Sequence, residues 1–324
     1  MLHLRAITSE DRTEDVCAYL DGDAGVTNVV VLPGAARRPR GDVVMCDVAR
    51  ESANELIDAL RGLGVDKAGS IALELIDVSI SEVAEAAEQN APGHGDDAVV
   101  WQELDRRTAD DTCLTWSFLA FLTLATQLAG IAAIIDSPIL VVGAMVLGPE
   151  FGTIAAISYG VLRGDPRRIG RALRVLAVGF AVAITVTLAC ALVARWTGIL
   201  DPGALSASRT QTRFIYDPDR WSFIVALLAG AAGVLSMTAG KSSALVGVFI
   251  SVTTVPAAGN VAVALALSHG EQIRGSLIQL GVNLAGMVIA GIATLLVQRA
   301  GWKLVRTRVR RSSVGPVVPD DPLR

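Results

Sequence analysis

The sequence predicts a two-part molecule. An N-terminal α+β domain of ferredoxin-like type sits in the cytosol. It is followed by an α-helical transmembrane domain of about six spans, readable as an inverted 3+3 repeat with two broken helices. Three observations predict this. The chain has 324 residues, 52% of them hydrophobic, at mean hydropathy +0.51, and that average conceals two regimes. Residues 1–112 carry 23 acidic and 10 basic side chains, whereas residues 113–324 carry 9 and 18. Six apolar runs, near 114–135, 138–162, 172–196, 221–240, 242–267 and 275–298, are each long enough to cross about 30 Å of hydrocarbon. Two of these runs are interrupted by proline at matching places, which in secondary transporters points to a binding site near the bilayer midplane.

The soluble part reads β-α-β-β-α-β over residues 1–80, the split βαβ order. Leu2, Leu4 and Ala6 alternate with His3 and Arg5 as a half-buried strand. Val16 and Leu20 share a helix face, and the acids Glu10 and Asp11 suit that helix's N-terminus. Val26 to Leu32 and Val43 to Val48 are strands, joined through a turn-rich loop from Pro33 to Gly41. Ala53, Leu56, Ile57, Leu60 and Leu63 keep helical spacing up to Gly64, and Ile71, Leu73 and Leu75 form the last strand. Residues 81–113 are a polar linker followed by an amphipathic helix with Val99, Val100, Leu104 and Thr108 near one face. The transmembrane domain then covers 114–312, and 313–324 is a disordered C-terminal tail.

Charge sets the topology. Arg163, Arg167, Arg168, Arg171 and Arg174 lie between the second and third runs, and Arg299, Lys303, Arg306, Arg308, Arg310 and Arg311 follow the last. Six crossings put both basic segments on the side of the N-terminus. By the positive-inside rule, both termini then face the cytoplasm across a bacterial inner membrane. Met1 to Arg5 lacks a signal-peptide pattern. Cys17, Cys46, Cys113 and Cys190 are too scattered for a zinc site or a disulfide frame and read as buried free thiols.

The two halves repeat. Trp116-Ser117-Phe118 returns as Trp221-Ser222-Phe223, and Asp136-Ser137-Pro138 aligns with Lys241-Ser242-Ser243, both at an offset of 105. The breaks Pro149-Glu150-Phe151-Gly152 and Pro256-Ala257-Ala258-Gly259 align at 107. A unit of three crossings is odd, so its second copy enters from the opposite face. Asp136 and Lys241 then lie at opposite faces.

The candidate pathway follows from the breaks. Proline removes a helical donor and leaves carbonyls without helical partners, and hydrocarbon does not tolerate such groups unsatisfied. Glu150 follows its proline near mid-span, and an intramembrane carboxylate marks a functional site. The expected pathway residues are Gly148, Pro149, Glu150 and Gly152 in the first half, with Thr254, Pro256, Gly259 and Asn260 in the second. Gln127, Asn283, Asp136 and Lys241 add secondary polarity. Ordinary proline kinks around a buried acid at a subunit contact are the bland alternative. The Gly148-xxx-Gly152 spacing permits close helix packing under either reading.

The sequence holds no HExxH, GxSxG, Walker-A or strand-linked GxGxxG pattern. His3, His94 and His269 are scattered, so no enzyme activity, metal or cofactor is expected. The acidic soluble part argues against nucleic acid.

Two stretches carry a resemblance. Gly25-Val26 into Val29 to Ala35, then Gly41-Asp42-Val43-Val44, and the run Asp136 to Gly152 are similar to members of the domain of unknown function (DUF) 389 family. The resemblance covers most of the chain and is weakest at 197–220. It implies a multi-pass bacterial membrane protein and no established reaction, substrate or site.

Two functions compete. In the first, the chain transports or conducts a small solute or ion, with Glu150 binding a cation or proton and freed carbonyls at the breaks completing the coordination. In the second, it is a non-transporting sensor or scaffold whose soluble domain binds a ligand or partner. Lipid and other copies of the chain, as a homo-oligomer, are the expected neighbours.

Overall fold

The computed structural model describes residues 1–76, 80–91, 98–205, 209–238 and 254–312, with side chains as far as Trp302. The chain divides into two compact units, Met1–Glu103 with Gln298–Arg324, and Leu104–Val297. Lys241, the first part of the 242–267 run and the 313–324 tail lie outside the described residues.

In the first unit, β1 (Leu2–Thr8), β2 (Val26–Arg37), β3 (Arg40–Val48) and β4 (Ser70–Leu75) form one antiparallel sheet in the order β2-β3-β1-β4. Central β1 pairs Leu4 with Cys46 on one side and with Leu73 on the other. Its inward Leu2, Leu4 and Ala6 meet Val16 and Leu20 of α1 (Thr13–Asp21) and Leu56, Ile57 and Leu60 of α2 (Ala53–Gly62). Past α2, Gly64 takes the left-handed conformation at φ 74°, as its sequence position predicts, before the short α3 (Val65–Ala68). The Arg12 guanidinium bonds the Leu63 carbonyl and occupies the space a side chain at 64 would need.

The turn-rich loop expected at 33–41 is a correction. β2 runs on to Arg37, and only Arg38-Pro39 separates the strands. An irregularity between Leu32 and Ala36 absorbs Pro33 and Gly34. Gly34 sits at φ 62° and donates its N–H to the Asp42 carboxylate at 2.7 Å. A bulge lets proline remain in an edge strand.

Helix α4 (Glu82–Asn90) and then α5 (Trp101–Asp110) follow. Val99 and Val100 are buried, as expected, yet they precede α5 and lie outside any helix. Asn54 explains this: its amide donates to the Val99 carbonyl at 2.8 Å and accepts from the Trp101 N–H at 3.0 Å. Cys46 is buried, Cys17 half-buried, and Cys113 and Cys190 exposed, so the expectation of four buried thiols holds for one. Burial pushes the Cys46 thiol up to about 12.

The second unit contains α6 (Trp116–Ile134), α7 (Pro138–Leu147), α8 (Glu150–Arg163), α9 (Pro166–Trp196), α10 (Arg220–Thr238), α11 (Val255–Leu267) and most of α12 (Gly270–Ser312). Thr115, Ser137 and Asp165 each accept a hydrogen bond from the first turn of the helix they precede, so α6, α7 and α9 start at caps written in the sequence. Pro138 and Pro166 occupy first-turn positions, where the missing N–H costs nothing. Four of these helices are long and apolar enough to cross a membrane, and α7 with α8, bent by 58°, makes a fifth if counted as one span.

Helix boundaries recur at an offset of 104 residues. α6 and α10 start and end 104 apart, α8 and α11 both end 104 apart, and α9 and α12 start 104 apart. The repeat extends to single hydrogen bonds. Gly164 and Ser268 both adopt the left-handed conformation, and Asp165 and His269 donate their N–H groups back to Gly160 and Ala264, each at 2.9 Å. This overrides the offset of 107 read from the prolines, because backbone geometry aligns Glu150 with Thr254.

Each helix after a break packs against the opposite half. α11 crosses α6 where Gly259 lies against Gly130, and a methyl group at Gly259 lands 2.7 Å from the Gly130 nitrogen. α8 meets α10 through Phe151 against Gly233, and meets α12 through Ser158, whose hydroxyl donates to the Val288 carbonyl at 3.3 Å. Glycine at these crossings brings backbones together as side chains do not permit.

Candidate functional site

Both prolines sit at helix starts rather than inside helices. Pro149 is the residue before α8, and Pro256 is in the first turn of α11. Thr254 directly precedes α11, the residues 239–253 before it lie outside the described ones, and Asn260 belongs to the interior of a regular helix, which corrects its expected place beside a ruptured backbone. What the breaks leave outside the helical ladders is also wider than carbonyls. The last turn of α7 has spare carbonyls, while the first turns of α8 and α11 have spare N–H groups.

Those two helix starts meet. The Thr254 hydroxyl donates to Oε1 of Glu150, with both residues fully buried. Glu150 is the first residue of α8, and Thr254 directly precedes α11. A carboxylate in mid-membrane costs about 2.5–3.5 kcal/mol. A hydrogen bond to a charged acceptor returns about 1.5–3 kcal/mol, and a helix N-terminus up to about 2 kcal/mol in partly buried settings. These contributions are of the same order as that cost. The arrangement gives the pair of helix ends one titratable acceptor, able to take a proton or to face a bound cation.

The other expected residues divide. Gly148 is extended chain at the end of α7, so Gly148 and Gly152 do not share a helix face and the proposed packing stripe is absent. Gly152 instead leaves room for the Asp111 carboxylate, and the Thr153 hydroxyl donates to the Asp111 carbonyl at 3.1 Å. Burial, reinforced by neighbouring Asp110 and offset by Arg107, pushes the Asp111 carboxyl above the usual carboxylate range. Gln127 points elsewhere, its amide donating to the Cys190 sulfur on α9 at 3.7 Å. Asn283 is fully buried on α12 and accepts from Gln279 at 3.5 Å.

Asn260 belongs to a second cluster that sequence reasoning missed. Its amide nitrogen donates to the Ser276 hydroxyl at 2.9 Å, and its oxygen accepts from Arg209 at 2.9 Å. Arg209 comes from the segment between α9 and α10 and is 4% exposed. It also donates to the Ala133 carbonyl at 3.1 Å, in the last turn of α6, and to the Gln272 side-chain oxygen. Its guanidinium lies 4.6 Å from the Tyr216 ring centre. Burial draws the Arg209 pKa down, against the opposing influence of Tyr216 and Asp136.

Asp136 has a local role. At φ 50° between α6 and α7, it accepts from the Thr212 N–H at 2.8 Å, the Thr212 hydroxyl at 2.7 Å and the Gln211 N–H at 3.3 Å. Burial pushes its carboxyl up, and these bonds with the Arg209 charge outweigh that, leaving it below the usual range. Among the described residues no group of three or more His, Cys, Asp or Glu side chains is placed to hold a metal ion.

Residues 145–289 match the domain of unknown function DUF389, the family the sequence resembles, and the match takes in Glu150, Thr254, Asn260 and Asn283. An uncharacterized protein of Methanocaldococcus jannaschii is 24% identical over 194 residues, 60% of this chain and 58% of that relative. The chain thus aligns with under two thirds of that relative's length. No solved structure matches.

Proposed function

We propose that the chain is an integral membrane transport protein or channel for a small solute or ion, with Glu150 and Thr254 at its central site. The observation that carries this reading is the buried hydrogen bond joining the two helix starts. The starts of two helices, one from each half, converge on one acid, an arrangement that resembles the way transporters expose main-chain dipoles to a ligand inside a bilayer. The recurrence of helix boundaries and caps at 104 residues supports an inverted repeat of three spans per half, six in all. Basic residues after α8 and in α12 support cytoplasmic termini in the cytoplasmic membrane. The strand order β2-β3-β1-β4 supports a ferredoxin-like fold for the first unit, and self-association of the chain fits its glycine-rich spans.

The test is Glu150→Gln in proteoliposomes. The amide keeps the shape and the Thr254 partner but not the charge, so ion- or pH-coupled flux should fall at least about tenfold while the protein still assembles. Unchanged flux removes Glu150 from the pathway.

A sensor or scaffold has one observation in its favour: the first unit holds a cavity of about 140 Å³ lined in part by Asp23, Gly25, Glu51, Ser52 and Asn90. That reading expects ligand-dependent thermal stabilisation lost on deleting residues 1–80, and no solute flux.

A further inference from the structure

The groups around Arg209 form a site for a cation in their own right. Three neutral oxygens hold the guanidinium, from the Asn260 side chain, the Gln272 side chain and the Ala133 main chain. The Tyr216 ring covers it, and the α6 C-terminus, where the helix dipole is negative, adds to the attraction. Among the described residues no carboxylate stands within ion-pair distance of Arg209, and the oxygens of Asp136 are engaged by Thr212 and Gln211. The charge is therefore solvated as a bound organic cation is, by oxygens and an aromatic face.

The three oxygens belong to α6, α11 and α12, whereas Arg209 is delivered by a connecting segment. Remove that side chain and the acceptors stay. The polar face of α12 continues beyond Gln272 through Ser276 and Gln279 to Asn283, spaced 4, 3 and 4 residues apart along one side of a helix. Ser276, Gln279 and Asn283 are all buried. The Asn260–Ser276 bond fixes the antiparallel register of α11 and α12, so six residues further along each helix Thr254 comes level with the region of Asn283. An independent observation points to a missing donor on this line: the buried side-chain oxygen of Gln279 has no hydrogen-bond partner among the described residues.

We propose that Arg209 is a tethered cation that fills, and so closes, a site for a guanidinium- or ammonium-bearing solute built from Asn260, Gln272 and the Ala133 carbonyl. The inference rests on reading the second unit as a pathway, and it adds the solute's chemical class and a latch. When the stretch from Arg209 to Tyr216 lifts, the guanidinium and the ring leave together, and the exposed oxygens take an external cation that Gln279 receives next.

The experiment uses the full chain in liposomes loaded with methylguanidinium chloride. Arg209→Ala should raise methylguanidinium efflux about tenfold over the unsubstituted protein, and Asn260→Leu in the same background should return it to the starting rate. A folded, monodisperse Arg209→Ala protein with unaltered efflux overturns the proposal. Should that variant fail to assemble, Asp136→Asn loosens the anchor at Gln211 and Thr212 without touching the acceptors, and efflux should again rise; unchanged efflux there also overturns it. Adding Glu150→Gln separates the two readings. A leak that persists in the double variant upholds the latch and sinks the Glu150 site, and a leak that stops upholds both. No leak from Arg209→Ala, beside Glu150-dependent flux in the unsubstituted protein, sinks the latch alone.

Discussion

Helices α8 and α11 share a frame and differ in what they carry. They have 14 and 13 residues, end in the same left-handed cap, and lead through the same backbone bond into a long helix. Yet α8 opens with an acid and α11 is preceded by a hydroxyl, and α8 is buried along its middle whereas α11 is buried almost throughout. The frame is set by backbone requirements that many sequences meet. At the offset of 104 residues Glu150 stands opposite Thr254, and there the two segments differ in chemistry.

The comparison breaks hardest at the glycine crossings. Gly259→Leu at α6–α11, which joins the halves, and Gly230→Leu at α10–α12, inside the second half, should both prevent assembly. A side chain at Gly259 strikes Gly130 and Thr126 backbone atoms at 2.7 Å, and one at Gly230 strikes the Met287 carbonyl at 2.5 Å. Backbone cannot retreat as a side-chain tip can, so each should cost more than about 3 kcal/mol. Size-exclusion profiles and thermal melts in detergent check this, and a large effect at Gly259 alone would show that the contact between the halves matters more than the one inside the second half.

A finer cut uses the caps, where the expected signs are opposite. Gly164→Ala puts a side chain at φ 67° and should destabilise by about 1 kcal/mol, whereas Ser268→Gly relieves φ 62° and should stabilise by a similar or smaller amount. Matched melting curves read both.

The smallest effect is a pH dependence specific to the first half. The Arg168 N–H, and then the Arg167 N–H, hold the Asp165 carboxyl below the usual carboxylate range. A depressed folded pKa means that this cap contributes fully above the unfolded pKa of about 3.9 and is lost as pH falls through the folded value. Protection of the Arg167 and Arg168 amides, taken relative to their intrinsic exchange rate at each pH, should therefore fall on acidification below about pH 4, and Asp165→Asn should flatten that response.

Much of this was legible because it is written in local chemistry. The strands of the first unit alternate, Gly64 falls where a helix must stop, and Thr115, Ser137 and Asp165 announce helix starts. The paired breaks and Glu150 stood out because proline and a carboxylate are both costly in an apolar run. The proline positions themselves misled. Proline is easily seen but is tolerated anywhere in a first turn, so Pro149 and Pro256 mark the breaks to within a few residues and align at the wrong offset. Arg209 was invisible for a different reason: an arginine in a polar connection has no periodicity and no neighbour in sequence that reveals burial. Its partners lie 51 to 76 residues away, and only the fold brings them together.

The contact between Thr254 and Glu150 joins positions 104 residues apart, the offset at which the helix boundaries recur. Two carboxylates there would be forced to share one proton, and two hydroxyls would leave the junction without charge. With an acid on one side and a hydroxyl on the other, the contact holds one titratable group and supplies it with a donor.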